Sequence, residues 1–266
     1  MNCIRVGTLN VRGLNDSTKR RTILNWLKEK NIDIICLQET FLKDETKHLL
    51  LDEWEGKVIL NTSNSSHSRG CAILFKKHFD YEVMNSFCDN DGRQILLNIK
   101  HANQIYTIVC LYAPNNESHR KAFFNHTVKW IHQNALNLKN PCVCGDLNCA
   151  LEPIDRLGSS NNKSSAVNLK TLLLKLSLVD VFRKKWPSKK EYTYYNKSRT
   201  IQSRIDYILG SEYMFSRVNK IYTLHAPRVP DHKLLVCHLQ SDVQIGSGYW
   251  KLNVSLLQND DLGRLY

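Results

Sequence analysis

A chain of 266 residues with 42% hydrophobic and 23% charged side chains is long enough to bury a substantial core and has the composition of a globular protein. No apolar run approaches ~20 residues and the first five residues lack a signal-peptide pattern, so a soluble, unsecreted chain with no membrane partner is expected. The net charge of +12, from 37 basic against 25 acidic residues, favours a polyanionic partner such as nucleic acid.

The first strand is predicted over residues 4–9, ending in Asn10, with a turn from Arg12 to Asp16. Ser17 is the expected N-cap of a helix whose Ile23, Leu24 and Leu27 recur at helical spacing. An apolar strand over 32–37 then finishes in Gln38-Glu39-Thr40. After a polar loop at 61–69, strands are expected at 71–75, 95–99 and 105–111, the last ending in Tyr112-Ala113-Pro114-Asn115-Asn116. A helix over 118–136 leads to Cys142-Val143-Cys144-Gly145, a short buried strand that stops at Asp146-Leu147-Asn148. Residues 151–165 read as loop and 167–178 as helix. Strands follow at 192–195, 203–209, 218–224 and 234–239. The nine cysteines form no Cys-x-x-Cys pair, and residues 142 and 144 share a strand face, so buried free thiols in a reducing compartment are expected rather than zinc ligands.

Polar groups thus recur at strand ends: Asn10, Glu39, Tyr112, the pair Asp146 and Asn148, and Asp231-His232 ahead of the last strand. Asp206 lies inside a strand, where Asp is disfavoured, so it needs a partner, and His232 is the expected one. By even spacing, Arg204 and Ile208 share the face of Asp206. Singly, each of these is accounted for by ordinary turn chemistry or a solvated strand end. Jointly they suit phosphoester hydrolysis: Glu39, Asn10 and Asp231 as oxygen ligands for Mg²⁺, Asp146 as the base toward water, His232 oriented by Asp206 toward a phosphate oxygen, Asn148 and Tyr112 adding hydrogen bonds.

Six segments carry a resemblance: Thr8-Leu9-Asn10-Val11-Arg12-Gly13, Leu37-Gln38-Glu39-Thr40, Leu111-Tyr112-Ala113-Pro114-Asn115, Gly145-Asp146-Leu147-Asn148, Arg204-Ile205-Asp206-Tyr207-Ile208-Leu209 and Asp231-His232. In this order they resemble the exonuclease, endonuclease and phosphatase superfamily. The resemblance implies an α/β fold, a four-layer α/β sandwich of two mixed β-sheets flanked by helices (DNase I-like). Asp155-Arg156, Tyr192-Thr193-Tyr194-Tyr195 and the tail from Gly248 to Leu257 make the chain most similar to the endonuclease domain of LINE-type (non-LTR) retrotransposons. This implies an endonuclease domain over 1–240, with 241–266 a linker or the start of a connector to a downstream reverse transcriptase. It also implies a monomeric Mg²⁺-dependent enzyme, with Mn²⁺ as a substitute, that acts in the nucleus after synthesis in the cytoplasm. It would nick one strand of double-stranded DNA and leave a 3′-hydroxyl to prime reverse transcription. Glu39 with Asn10 near it then belongs to the metal, Asp146 is the base, Asn148 and Tyr112 contact phosphate, and the Asp206 and His232 pair stabilises the transition state. Arg156 and Thr193 match positions that grip DNA, with Arg12 and Arg204 expected beside them. The loops at 61–69, 159–165 and 196–202 are candidates for reading a groove. An abasic-site repair endonuclease, or a phosphoesterase of the same superfamily acting on a non-DNA substrate, is the alternative. One departure stands out: the family usually has Ser before the Asp-His pair, and here it is Pro230. Reduced or retuned activity is expected from the lost hydroxyl.

Overall fold

The computed structural model describes residues 3–63, 69–135, 138–158 and 163–240. In chain order the elements are β1 (Cys3–Asn10), α1 (Ser17–Glu29), β2 (Ile34–Gln38), α2 (His48–Glu53), β3 (Val58–Asn61), β4 (Cys71–Phe75), β5 (Glu82–Cys88), β6 (Gln94–His101), β7 (Gln104–Tyr112), α3 (Glu117–Asn134), β8 (Pro141–Asp146), β9 (Arg156–Leu157), α4 (Lys163–Lys175), β10 (Val179–Asp180), α5 (Val181–Lys185), β11 (Tyr194–Tyr195), β12 (Gln202–Ser203), β13 (Asp206–Gly210), α6 (Glu212–Ser216), β14 (Val218–His225) and β15 (Lys233–Gln240).

The first sheet is ordered β14-β15-β1-β2-β4-β3 and the second β10-β13-β8-β7-β6-β5. Each is mixed, with β1 parallel to β2 in one and β7 parallel to β8 in the other. Strand alternation assigns the layers. Ile34 and Cys36 of β2 join the core between the sheets, whereas Ile35 and Leu37 face the other way, onto Ile23, Leu24 and Leu27 of α1 and Leu50 of α2. On the far side, Val109 and Leu111 of β7 and Val143 of β8 pack against Phe124, Val128 and Ile131 of α3 and Leu169 and Leu172 of α4. The result is the expected four-layer sandwich. Cys36, Cys71, Cys110, Cys142, Cys144 and Cys237 lie in the inter-sheet core as free thiols. Among the described residues no helix is long and apolar enough to cross a membrane. The tail 241–266 lies outside the described residues.

Two expectations about local structure are corrected. The N-cap of α1 is Asp16 and not Ser17: Asp16 is extended, and its carboxylate accepts from the Lys19 amide at 2.6 Å. Arg204 does not share the face of Asp206. The strand begins only at Asp206, and the Arg204 guanidinium lies over the rings of Tyr207 and Phe182, on the opposite side. It is fully buried, so it cannot be the DNA contact expected of it. Its Nε and Nη2 donate to Asp155 at 2.8 and 2.7 Å, and Nη1 and Nη2 donate to Asp180 at 3.1 and 2.6 Å. Removing the cation takes from Asp180 its ion pair and leaves Asp155 with Arg183 alone, both in a buried site. Arg204→Met is therefore expected to destabilise the fold by about 3–5 kcal/mol, the usual cost of breaking a buried ion pair on one side, measured by urea unfolding; a change under about 1 kcal/mol would mean the network is not a structural staple.

Candidate active site

Register in the second sheet sets the centre. Tyr112 of β7 is the cross-strand partner of Asp146 on β8, and Asp146 is the partner of Asp206 on β13, so three polar side chains stand in one row at the ends of adjacent strands. Gly145 is needed one step earlier because a Cβ there would sit 1.9 Å from the Leu111 carbonyl oxygen, at a φ of +153°. The first sheet adds Asn10 from the end of β1 and Glu39 just past β2.

The polar atoms interlock. The Asp146 carboxylate accepts from Asn10 Nδ2 at 2.9 Å and from the Asn148 amide at 2.9 Å. His232 faces Asp206 through Nδ1, 3.1 Å from Oδ2, and its Nε2 lies 3.9 Å from Asp146 Oδ2. Tyr112 donates its hydroxyl to Glu39 Oε1 at 2.6 Å. Arg12 lies between Glu39 and Asp231, its Nε 3.8 Å from Glu39 and its Nη1 ion-paired to Asp231. Glu39 and Asn148 hold left-handed backbones, φ +53° and +49°, conformations that non-glycine residues keep only where surrounding contacts enforce them.

Electrostatics divides the labour. Burial, then the charge of Asp206, pushes the Asp146 carboxyl up to about 7. Burial opposes the charged form of His232, but Asp206, Asp146 and Asp231 outweigh it and push the imidazole up to about 9. The charged form of His232 is thereby favoured at neutral pH, which suits a hydrogen-bond donor. Burial, with Glu39 beside it, raises the Tyr112 hydroxyl, so that ring stays neutral.

These residues enclose a cleft of about 220 Å³ lined by Arg12, Glu39, Asp146, Asn148, Arg156 and His232, among others. The three candidate metal ligands do not form one set. Asn10 is buried, with Nδ2 on Asp146 and Oδ1 accepting from the Arg12 amide at 3.1 Å, so it orients the Asp146 carboxylate. Glu39 and Asp231 remain, and the fit to a hard cation rests on Asp231 Oδ1, a buried carboxylate oxygen with no hydrogen-bond partner. Thr193, expected to grip DNA, is fully buried, its Oγ1 accepting from the Ile205 and Asp206 amides at 3.1 Å each; it positions Asp206 and does not reach a ligand. Arg156 does line the cleft.

Sequence reasoning missed Asn115, Tyr194, Ser203 and Ile205 as cleft lining. It also missed Arg120, whose Nη1 donates to the Pro114 and Asn115 carbonyls at 3.1 and 2.7 Å and so holds the loop after Tyr112. Tyr194 and Ile205 sat inside quoted motifs, so a signal existed; an arginine inside a helix pattern carries none. Of the expected groove-reading loops, the turn of the β11-β12 hairpin is ordered by Asn196 Nδ2 donating to Ser198 and Thr200 at 3.1 and 3.0 Å. Residues 64–68 and 159–162 of the other two lie outside the described residues.

Residues 7–233 match the family described as Endonuclease/Exonuclease/phosphatase family. The chain belongs to that family. It is 27% identical over 264 residues to a 149 kDa protein of transposon TX1 from Xenopus laevis, covering 98% of this chain but only 20% of that one. It is 28% identical to an exodeoxyribonuclease of Bacillus subtilis, covering 76% of this chain and 86% of that one. An AP endonuclease from Archaeoglobus fulgidus has the same fold, with a TM-score of 0.75 over 90% of this chain and 100% of that one at 22% identity. Within this family frame Pro230 is open to a direct check. It is exposed and precedes Asp231, whose Oδ1 lacks a partner. Pro230→Ser supplies a hydroxyl and frees the backbone N–H, so equal or faster phosphodiester cleavage is expected in an initial-rate assay. A clear loss of rate would show that the proline is itself part of how this centre works.

Proposed function

We propose that this chain is a divalent-metal-dependent endonuclease that nicks one strand of duplex DNA and leaves a 3′-hydroxyl, from which the reverse transcriptase of a LINE-type element, acting in the nucleus, begins synthesis. The observation that carries the chemistry is the row Tyr112, Asp146, Asp206 with His232 closing it: side-chain oxygen and nitrogen atoms of Asp146, Asp206 and His232 lie within 4.8 Å of one another, at the head of two sheets. The similarity to the transposon protein along nearly the whole chain supports the biological setting.

In this reading Asp146, aligned by Asn10 and Asn148, takes a proton from water. His232, held by Asp206, donates Nε2–H to a non-bridging phosphate oxygen. Asn148 has one amide hydrogen on the Ala113 carbonyl at 2.9 Å and one left for phosphate. Tyr112 has its single hydroxyl hydrogen on Glu39, so it orients that carboxylate, and it reaches phosphate only by giving up that bond. Glu39 and Asp231 would hold a divalent cation, which would supply charge neutralisation at the phosphate. Arg12, with its side chain 53% exposed, is free to turn from Asp231 toward DNA.

A second reading, cleavage at abasic sites, draws on the apolar wall that Ile201, Ile205 and Tyr194 give one side of the cleft, where a base-free sugar would fit. Nicking of intact and abasic duplexes of one sequence separates the two. Comparable rates on both, with products that a DNA polymerase extends, are expected; cleavage confined to the abasic duplex would replace the first reading by the second.

A further inference from the structure

At the same end of the second sheet lies a larger cavity of about 670 Å³, between the turn joining β5 to β6 and one flank of α3. Its α3 wall is a stripe at helical spacing: His119, Phe123, His126 and Trp130. Arg69 and Arg93 line it as well.

Arg93 joins this cavity to the catalytic cleft. Its Nη1 donates to the Tyr112 carbonyl at 3.1 Å and its guanidinium lies 4.9 Å over the Tyr112 ring. Pro114 lines the cavity while its neighbour Asn115 lines the cleft, so the two share a wall. Asp89 and Asp91 line the cavity too and balance the charge of the two arginines, so what sets Arg93 apart is donor capacity left unused. Asp91 pairs with Arg69 at 3.0 Å. The Asp89 carboxylate is occupied by the backbone amides of Arg93 and Gln94 and by Asn61 Nδ2, at 2.9, 3.0 and 2.8 Å. Nε and Nη2 of Arg93 have no hydrogen-bond partner among the described residues.

A cation facing an aromatic and imidazole stripe is the combination that holds unpaired nucleotides, with the phosphate on the guanidinium and the base on a ring face. The size agrees, since this volume is that of a small-molecule site and far too small for a duplex. We infer that the cavity seats an unpaired nucleotide of the DNA strand leaving the cleft, its base against Trp130 and its phosphate at Arg93. This rests on the nuclease reading above and adds to it a preference for duplex that borders single strand.

The test compares a short blunt duplex with the same duplex carrying an unpaired thymidine tail of roughly four nucleotides, the smallest span usual for single-strand sites, at either end. A tail at one end is expected to lower KM by about tenfold, a typical gain from one stacked base, with kcat unchanged. Trp130→Ala is expected to abolish that gain while the blunt duplex is nicked at the parental rate. The exposed His126→Ala, which carries little folding risk, is expected to reduce it. Cys88, exposed on the cavity rim, adds a readout independent of activity: it is expected to form a mixed disulfide with an activated thiol tethered to a tail thymidine, and Cys88→Ser to remove the product. No preference for either tail, or a preference that survives both variants, overturns the inference. A protein that nicks neither duplex overturns the nuclease reading instead, so the two failures are distinguishable.

Discussion

Asp146→Asn is expected to slow the nicking of supercoiled plasmid by about a thousandfold, within the range that loss of a general base usually costs. The substitution keeps the shape and the hydrogen bond from the Asn148 amide but removes the carboxylate that accepts a proton. Asn10 reinforces the effect, since its Nδ2 would then face another amide in place of an oxygen anion. DNA affinity, read by gel shift, is expected to stay within a few fold, because the basic residues of the surface are untouched. Nicking at the parental rate would assign the base to another group.

His232→Ala is the second large loss, about a hundred- to a thousandfold in kcat, the usual cost of one donor to a developing oxyanion. It carries a pH signature as well. As the proposed base Asp146 acts ionised, so kcat/KM is expected to rise as pH rises through its pKa, at about 7 for the buried carboxyl and lower when a cation shares the cleft. As the proposed donor His232 acts protonated, so the rate is expected to fall as pH rises through about 9. The parental enzyme should therefore show a bell-shaped profile, and the residual activity of His232→Ala should lose the alkaline limb. An alkaline limb that persists in the variant would belong to some other acid.

The candidate row was legible in the sequence because Tyr112 and Asp146 end apolar strand runs, Asp206 is an acid within a strand pattern and His232 stands just before one, and strand ends of an α/β sheet converge. The cross-strand register that sets Tyr112, Asp146 and Asp206 side by side was not, since pairing partners are set by packing across distant segments. Arg204 shows the limit of alternation arguments: period-two reasoning holds only inside the strand, and this strand starts two residues later. Thr193 shows another limit, because a motif match gives the position of a hydroxyl and not whether two backbone amides already occupy it. The unpredicted β5 is a strand with alternate residues exposed, in which Glu82, Asn85 and Ser86 dilute the apolar pattern, at the open edge of the second sheet. The short α2, α5 and α6 have five or six residues each, too few for a helical period to declare itself. Arg93 lies outside every motif, and only the folded chain brings its guanidinium onto Tyr112.

The joint action of Asp146, His232 and the cleft they line on a phosphodiester is tested most directly by incubating the purified chain with supercoiled plasmid in Mg²⁺, with and without a chelator, and analysing the ends of the product. Open circles that accumulate only with the metal, and whose 3′ ends a polymerase extends, are the predicted result. Plasmid that stays supercoiled in Mg²⁺, or nicking that the chelator leaves undiminished, would contradict it.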